Sequence, residues 1–270
     1  MEHIKRADRI CAITAMLLSS PNKVFTFSTF TDMFGAAKST ISEDIDIIAQ
    51  SVATFGLGEV KTIAGAAGGV RYRAYPSEKR IDTFIRNLCF RLSEPNRVLP
   101  GGFLYTSDIT SESDTVHMVG ELIASLYYEY EPDIVLTMET KGIPIASAAA
   151  VSLGVPLIIA RRDSKAYEGS SVKISYTTGN DNETDTMALP RRAVKQGQKV
   201  LIVDDFAKGG GTLKGMQEII AEFDAKVVGT CVFIATANAP LTALNVSSLL
   251  TIKSIDPATK MAVVDYGNFR

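Results

Sequence analysis

Cysteine, histidine and tryptophan are scarce in this chain of 270 residues, which has three, two and none of them. Cys11, Cys89 and Cys231 lie far apart with no paired spacing. That excludes a disulfide framework and a cysteine-based zinc site, and it suits a reducing compartment. His3 and His117 are too few for a multi-histidine centre, so no metal ligands are expected. Long apolar runs are missing as well. The least polar stretch, 143–160, is interrupted by Pro144 and Pro156 and closed by Arg161 and Arg162. It is too short and too broken to span a bilayer and reads as a buried helix and strand. The first residues, Met1 to Arg6, lack the continuous apolar core of a secretory leader. The expectation is a cytoplasmic protein with no membrane partner. Nor does one sign of charge dominate. The net charge is −2, with 10 Lys/Arg against 8 Asp/Glu in 1–80 and 18 against 22 in 81–270. A nucleic-acid binder would have to show itself by where its basic residues stand, not by their number.

What is present is ordinary for a globular protein: 46% hydrophobic and 21% charged residues. The length favours two domains, and the pattern changes near residue 75. The division expected is 1–75 and 76–270.

In the first part, Ile10, Ala12, Ile13, Leu17 and Leu18 give residues 5–18 an apolar helical stripe, which Ser19-Ser20-Pro21-Asn22 stops. Residues 27–34 form a second, short helix ended by Gly35. A third runs from Lys38 to about Val52, where Ile41, Ile45, Ile48 and Val52 are spaced four, three and four apart. Ser39 is its expected N-cap. Glu59–Ile63 and Val70–Arg73 alternate around the Gly-rich tip 64–69 and predict a β-hairpin. Two helices, a turn, a third helix opening on Lys38, Ser39, Thr40 and Ser42, and a hairpin bearing Lys61, Arg71 and Arg73 make a winged helix-turn-helix. DNA is the partner this arrangement fits, with the basic residues on phosphates. Glu43, Asp44 and Asp46 put negative charge on the proposed recognition helix. Only its first turn would then approach DNA, helped by Lys5, Arg6 and Arg9. A protein-interaction module of the same shape is the competing reading.

From residue 115 strands and helices alternate: helix 115–129, strand 134–138, helix 145–153, strand 156–160, strand 199–203, helix 213–223, strand 226–234. The fold class expected is α/β, a parallel sheet with helices on both faces. Ligands of such sheets sit at the carboxyl ends of strands, so the segments after Met138 and Val203 matter most. After Val203 come Asp204, Asp205, Phe206, Ala207, Lys208, Gly209, Gly210, Gly211 and Thr212. Glycines let backbone N–H groups close around a phosphate at a helix N-terminus. Adjacent carboxylates suit the vicinal hydroxyls of a ribose. Together they describe a sugar phosphate.

This segment resembles the phosphoribosyl pyrophosphate (PRPP) motif of type I phosphoribosyltransferases. Thr137-Met138-Glu139-Thr140-Lys141-Gly142 is similar to the family's pyrophosphate loop. Residues 161–179 are similar to its loop over PRPP, with Arg161, Arg162 and Lys165 as candidates. The resemblance covers roughly residues 100–250. One departure stands out. The third position after the second acid is an Asp handling the base's proton in the 6-oxopurine branch, and here it is Lys208. A cation is a poor general base and a good anion partner.

A winged helix joined to such a domain resembles, over nearly the whole chain, the purine operon regulators of Gram-positive bacteria. Gly101-Gly102-Phe103-Leu104-Tyr105, residues 206–212 and Lys38-Ser39-Thr40-Ile41-Ser42 carry the match. The resemblance implies a homodimer on paired operator sites that responds to PRPP, with Mg²⁺ as its companion ion, and does not turn it over. No residue is expected to be catalytic. Tyr105 and Phe206 are candidates to frame a base. Two other readings fit the same motifs: an active purine or xanthine phosphoribosyltransferase with an accessory domain, and a helix-turn-helix protein for another pyrophosphate-bearing nucleotide.

Overall fold

The computed structural model describes residues 4–65, 68–164, 169–177 and 184–270. The chain forms two compact units, Met1–Glu78 with Val151–Gly154, and Lys79–Ala150 with Val155–Arg270.

The first unit holds α1 (Arg6–Ser19), α2 (Phe27–Phe34), α3 (Lys38–Thr54), β1 (Glu59–Ile63) and β2 (Gly69–Arg73). The isoleucine spacing of α3 works as it predicts. Ile41, Ile45, Ile48 and Val52 are buried against Ile13 and Leu17 of α1, Phe30 of α2, and Val70 and Tyr72 of β2. Helix α2 opens on Thr26, whose hydroxyl oxygen accepts the Thr29 N–H at 3.3 Å. It closes on Gly35 in the left-handed region at φ 60°. The start of α3 differs from expectation. Its N-cap is Ala37, with no side-chain cap bond, and Ser39 is the second helical residue. The extended Ala37 (φ −64°, ψ 150°) already delivers the chain into the helix, so Ser39 is left exposed. Strands β1 and β2 pair antiparallel with Lys61 opposite Arg71, and Phe25 bridges to Val70.

The second unit runs α4 (Glu78–Leu92), β3 (Val98–Leu99), β4 (Phe103–Leu104), α5 (Ser107–Thr110), α6 (Ser113–Tyr127), β5 (Ile134–Met138), α7 (Ile143–Leu153) and β6 (Leu157–Ala160). There follow β7 (Ser171–Thr177), β8 (Thr184–Pro190), β9 (Lys199–Ala207), α8 (Gly211–Ala221), β10 (Lys226–Thr236), β11 (Val246–Asp256) and β12 (Met261–Tyr266). Six strands form the main sheet in the order β12-β11-β10-β9-β5-β6, parallel except for the β11–β12 pair. Alternate residues of the central strands go to opposite faces. Ile134, Leu136, Val200, Ile202 and Val232 meet Leu213, Met216, Ile219 and Ile220 of α8 and Tyr176, Met187 and Leu189 of the β7–β8 hairpin. Tyr127 of α6 packs its ring where a Cβ on Gly229 would stand, and its hydroxyl donates to the Thr230 carbonyl at 3.2 Å.

Five features go beyond what the sequence pattern predicts: α4, the β3–β4 pair, α5, the β7–β8 hairpin and the β11–β12 pair. Strand β9 also runs four residues past Val203, carrying both acids inside the sheet. Its neighbours explain this. Strand β10 pairs with β9 as far as Ala235 opposite Ala207, and ladder hydrogen bonds on that side outweigh the polarity of the two aspartates.

Candidate functional site

Strand order turns at one place. From β5 the chain passes through α7 to β6 on one side, and from β9 through α8 to β10 on the other. A crevice opens at the carboxyl ends of two strands where order reverses in this way. It is present here as a cavity of ≈ 310 Å³ lined by Met138, Glu139, Thr140, Lys141, Arg162, Tyr176, Asp204, Asp205, Phe206 and Thr212.

Asp204 and Asp205 form its floor. Asp204 is 7% exposed, and its Oδ1 accepts the Asp205 N–H at 3.0 Å. Burial, with the neighbouring Asp205 carboxylate adding to it, holds the Asp204 carboxyl well above the usual range. Burial raises Asp205 too, against the lowering effect of the Lys141 ammonium. Two carboxylates placed in this way are short of donors, and ligand hydroxyls would supply them. The loop after β5 is shaped around this floor. A Cβ on Gly142 would collide with Asp204 Oδ1 and come within 2.5 Å of Thr137 Oγ1. The buried Thr137 hydroxyl has no hydrogen-bond partner among the described residues. The Glu139–Thr140 peptide in the same loop is cis.

The Gly-rich segment after β9 turns into α8. Gly210 is the N-cap at φ 73°, and a Cβ there would sit 2.7 Å from Leu244 Cδ1, so both conformation and space call for glycine. Thr212 and Phe206 face the cavity. Ala207 is 2% exposed within the core, so only its backbone is available. Lys208, Gly209, Gly210, Gly211, Gly142, Arg161 and Tyr105 do not line the cavity. Tyr105 stands beyond β4, 44% exposed. Arg161 bridges to Ala188 of β8 and reaches Glu139 Oε2 at 3.5 Å. Lys165 lies outside the described residues. Three lining residues, Met138, Glu139 and Tyr176, are absent from the sequence-based candidates. Glu139 stands inside the pyrophosphate-loop motif, and the alternation Val172, Ile174, Tyr176 is a strand signal that places Tyr176.

In the first unit, the basic residues proposed for DNA separate into two groups. Arg9 is 8% exposed, and its Nε meets Asp44 Oδ2 at 2.8 Å. Arg6 Nε meets Asp44 Oδ1 at 2.9 Å. Asp44 is fully buried, so this cluster fastens α1 to α3. Arg9 is thereby turned inward and stands apart from the exposed basic residues proposed for DNA. Arg73 is turned inward likewise: it is 7% exposed and donates through Nε to Asn22 Oδ1 at 2.9 Å. Lys5, Lys38, Ser39 and Lys61 are exposed, and Thr40, Ser42 and Arg71 are partly so. Lys38 holds its ammonium 5.2 Å from the Phe27 ring centroid, and Lys61 meets Glu59 at 2.8 Å. Of the three acids on the recognition helix, Asp44 is therefore internally neutralised, while Glu43 and Asp46 stay at the surface.

Two family models match the chain: the N-terminal domain of the bacterial purine repressor over residues 5–74, and the phosphoribosyl transferase domain over residues 106–266. The chain is 40% identical over 266 residues to the purine biosynthesis transcriptional repressor PurR of Bacillus subtilis (strain 168), spanning 98% of this chain and 93% of that protein. It is 37% identical to the purine biosynthesis transcriptional activator PurR of Lactococcus lactis subsp. lactis, spanning 98% of each. Among solved structures, the adenine phosphoribosyltransferase of Thermoanaerobacter pseudethanolicus superposes with a TM-score of 0.55 at 19% identity, over 61% of this chain and 98% of that one. That likeness speaks for the fold alone. The comparisons bear out the resemblance to the purine operon regulators and the expected fold class.

Proposed function

The chain belongs to the bacterial purine repressor family, and from that premise we propose that it regulates purine-biosynthesis genes by binding DNA and sensing PRPP. It is a transcription regulator, not a transferase. The observation that carries the PRPP reading is the donor-poor pair of buried Asp204 and partly buried Asp205, in one cavity with Lys141. The ribose hydroxyls donate to the two carboxylates. The 5′-phosphate takes the backbone N–H groups of residues 208–212 at the start of α8. The pyrophosphate lies toward Lys141 and Arg162. Mg²⁺ accompanies PRPP as the counter-ion of its pyrophosphate. Lys208 stands where the 6-oxopurine branch of the phosphoribosyltransferases keeps a proton-handling Asp, which suits binding without turnover.

The DNA surface is the start of α3 with the wing, from Lys38, Ser39, Thr40, Ser42, Lys61 and Arg71, assisted by Lys5 and Arg6. A homodimer would match paired operator sites. DNA and PRPP are linked by a coupling free energy of about 1–3 kcal/mol, a change of roughly 5- to 150-fold in affinity. No helix among the described residues is long and apolar enough to cross a membrane, and a cytoplasmic location accords with this function.

The test measures binding of the full chain to DNA from upstream of purine-synthesis genes while PRPP is titrated with Mg²⁺. Released pyrophosphate is followed with a panel of purine bases. PRPP should shift DNA affinity, and no base should release pyrophosphate. The double variant Asp204→Ala/Asp205→Ala should keep DNA binding and lose the response. A double variant that still responds normally, or base-dependent release, would overturn the reading.

A further inference from the structure

Behind the wall of the cavity lies a connected set of polar contacts that the PRPP motifs do not include. Tyr176 and Asp185 are paired across the β7–β8 hairpin. The Tyr176 hydroxyl donates to Asp185 Oδ2 at 3.4 Å. The same carboxylate oxygen meets Arg162 Nε at 3.4 Å. Arg162 is gripped at two further points. Its N–H donates to Glu139 Oε1 at 2.9 Å, and its carbonyl accepts the Thr186 hydroxyl at 2.9 Å. Arg162 and Tyr176 line the cavity, and Asp185 does not.

We propose that Asp185 is a positioning residue that aims Arg162 at the pyrophosphate end of the site, and so sets the preference for pyrophosphate-bearing sugar phosphates over simple ones. The proposal rests on the PRPP reading above. A half-exposed ion pair contributes little to stability, but its effect on binding is different. An arginine free to rotate must lose rotamer freedom when a ligand arrives, and one already held by its backbone and its Nε has lost part of it beforehand. The contact is made at Nε, the guanidinium nitrogen nearest the chain, and the two terminal nitrogens lie beyond it, suited to phosphate oxygens.

The experiment measures, by calorimetry on the full chain, affinity for PRPP with Mg²⁺ and for ribose 5-phosphate, which lacks the pyrophosphate. The variants are Asp185→Asn, Arg162→Gln and the pair together. Asparagine keeps the shape: its oxygen can still accept the Thr186 N–H, and its amide nitrogen can donate to the Tyr176 hydroxyl oxygen in place of the bond that Asp185 accepts. Asp185→Asn should weaken PRPP about three- to tenfold, leave ribose 5-phosphate unchanged, and add nothing once Arg162 is Gln. Asp185→Glu should recover part of the loss. An equal loss on both ligands would make Asp185 a structural support of the hairpin. Tighter PRPP binding would make it a competitor for Arg162, and an additive loss would uncouple the two residues. Each of these overturns the proposal. Wild-type protein that binds neither ligand overturns the PRPP reading itself.

Discussion

Asp44 in the first unit and Asp204 in the second are both buried carboxylates, and the chain treats them in opposite ways. Asp44 has a guanidinium on each oxygen, at 2.9 Å from Arg6 and 2.8 Å from Arg9. Asp204 has one backbone N–H and a second carboxylate beside it. The first arrangement completes its hydrogen bonds inside the protein and fixes two helices against each other. The second leaves them incomplete, and the remaining acceptor positions are what a polyhydroxylated ligand would fill. A satisfied buried charge marks architecture and an unsatisfied one marks a site.

The contrast breaks most forcefully at Asp44. Asp44→Asn would leave the buried Arg9 charge without its counter-charge, a change that costs about 3–5 kcal/mol when one partner of a buried pair is removed. Hydrogen exchange on the amides of α1 and α3 should show that cost in the first unit. Protection that stays at the wild-type level would mean that the pair is dispensable and the contrast false.

At Asp204 the expected sign is reversed. Its folded carboxyl titrates above the unfolded one, so its contribution to stability is fully present below the unfolded range and is lost as pH rises through the raised value. At pH 8, well above the unfolded range, the Asp204 carboxyl therefore opposes folding. Asp204→Asn should make the ligand-free protein more stable there by about 1–2 kcal/mol, the scale of ordinary carboxylate linkage. The advantage should shrink as pH falls toward 5, while PRPP binding is lost at every pH. Urea melts at several pH values give the comparison. A variant less stable than wild type at pH 8 would show that the carboxylate is satisfied after all.

The difference between the two acids also explains what is legible in the sequence. Asp204 and Asp205 can be read there because a strand, two acids and a run of glycines form a local pattern whose chemistry is complete in a dozen residues. The core of the first unit is legible for the same reason, through the spacing of Ile41, Ile45, Ile48 and Val52. Asp44 looks like surface charge in the sequence because its partners, Arg6 and Arg9, are some 35 residues away, and helical spacing cannot say which polar residue of a mixed face turns inward. Arg73 misleads likewise, its partner Asn22 standing 51 positions earlier. Asp185 carries no sequence signal because its meaning depends on a hairpin partner and on Arg162, neither of which is local. The extension of β9 to Ala207 is set by β10, a neighbour that the segment itself does not contain.

The smallest expected effect sharpens the comparison on the surface of the first unit, where Lys38 and Arg73 carry the same charge. Lys38 is exposed at the first turn of α3, and Arg73 is buried on Asn22. If exposure separates phosphate-binding cations from architectural ones, the two substitutions must differ in kind. Lys38→Ala should weaken DNA binding at low salt and reduce the slope of log affinity against log salt by about one, as expected when one phosphate is left without its cation. Arg73→Ala should leave that slope unchanged and instead lower the stability of the first unit by about 1 kcal/mol, the usual scale for removing an internal hydrogen bond. Salt titrations of DNA binding on both variants, run below their melting ranges, decide the matter. Equal changes in slope would mean that Arg73 leaves Asn22 when DNA arrives, and the burial of a basic residue in the free protein would then say nothing about its place on DNA.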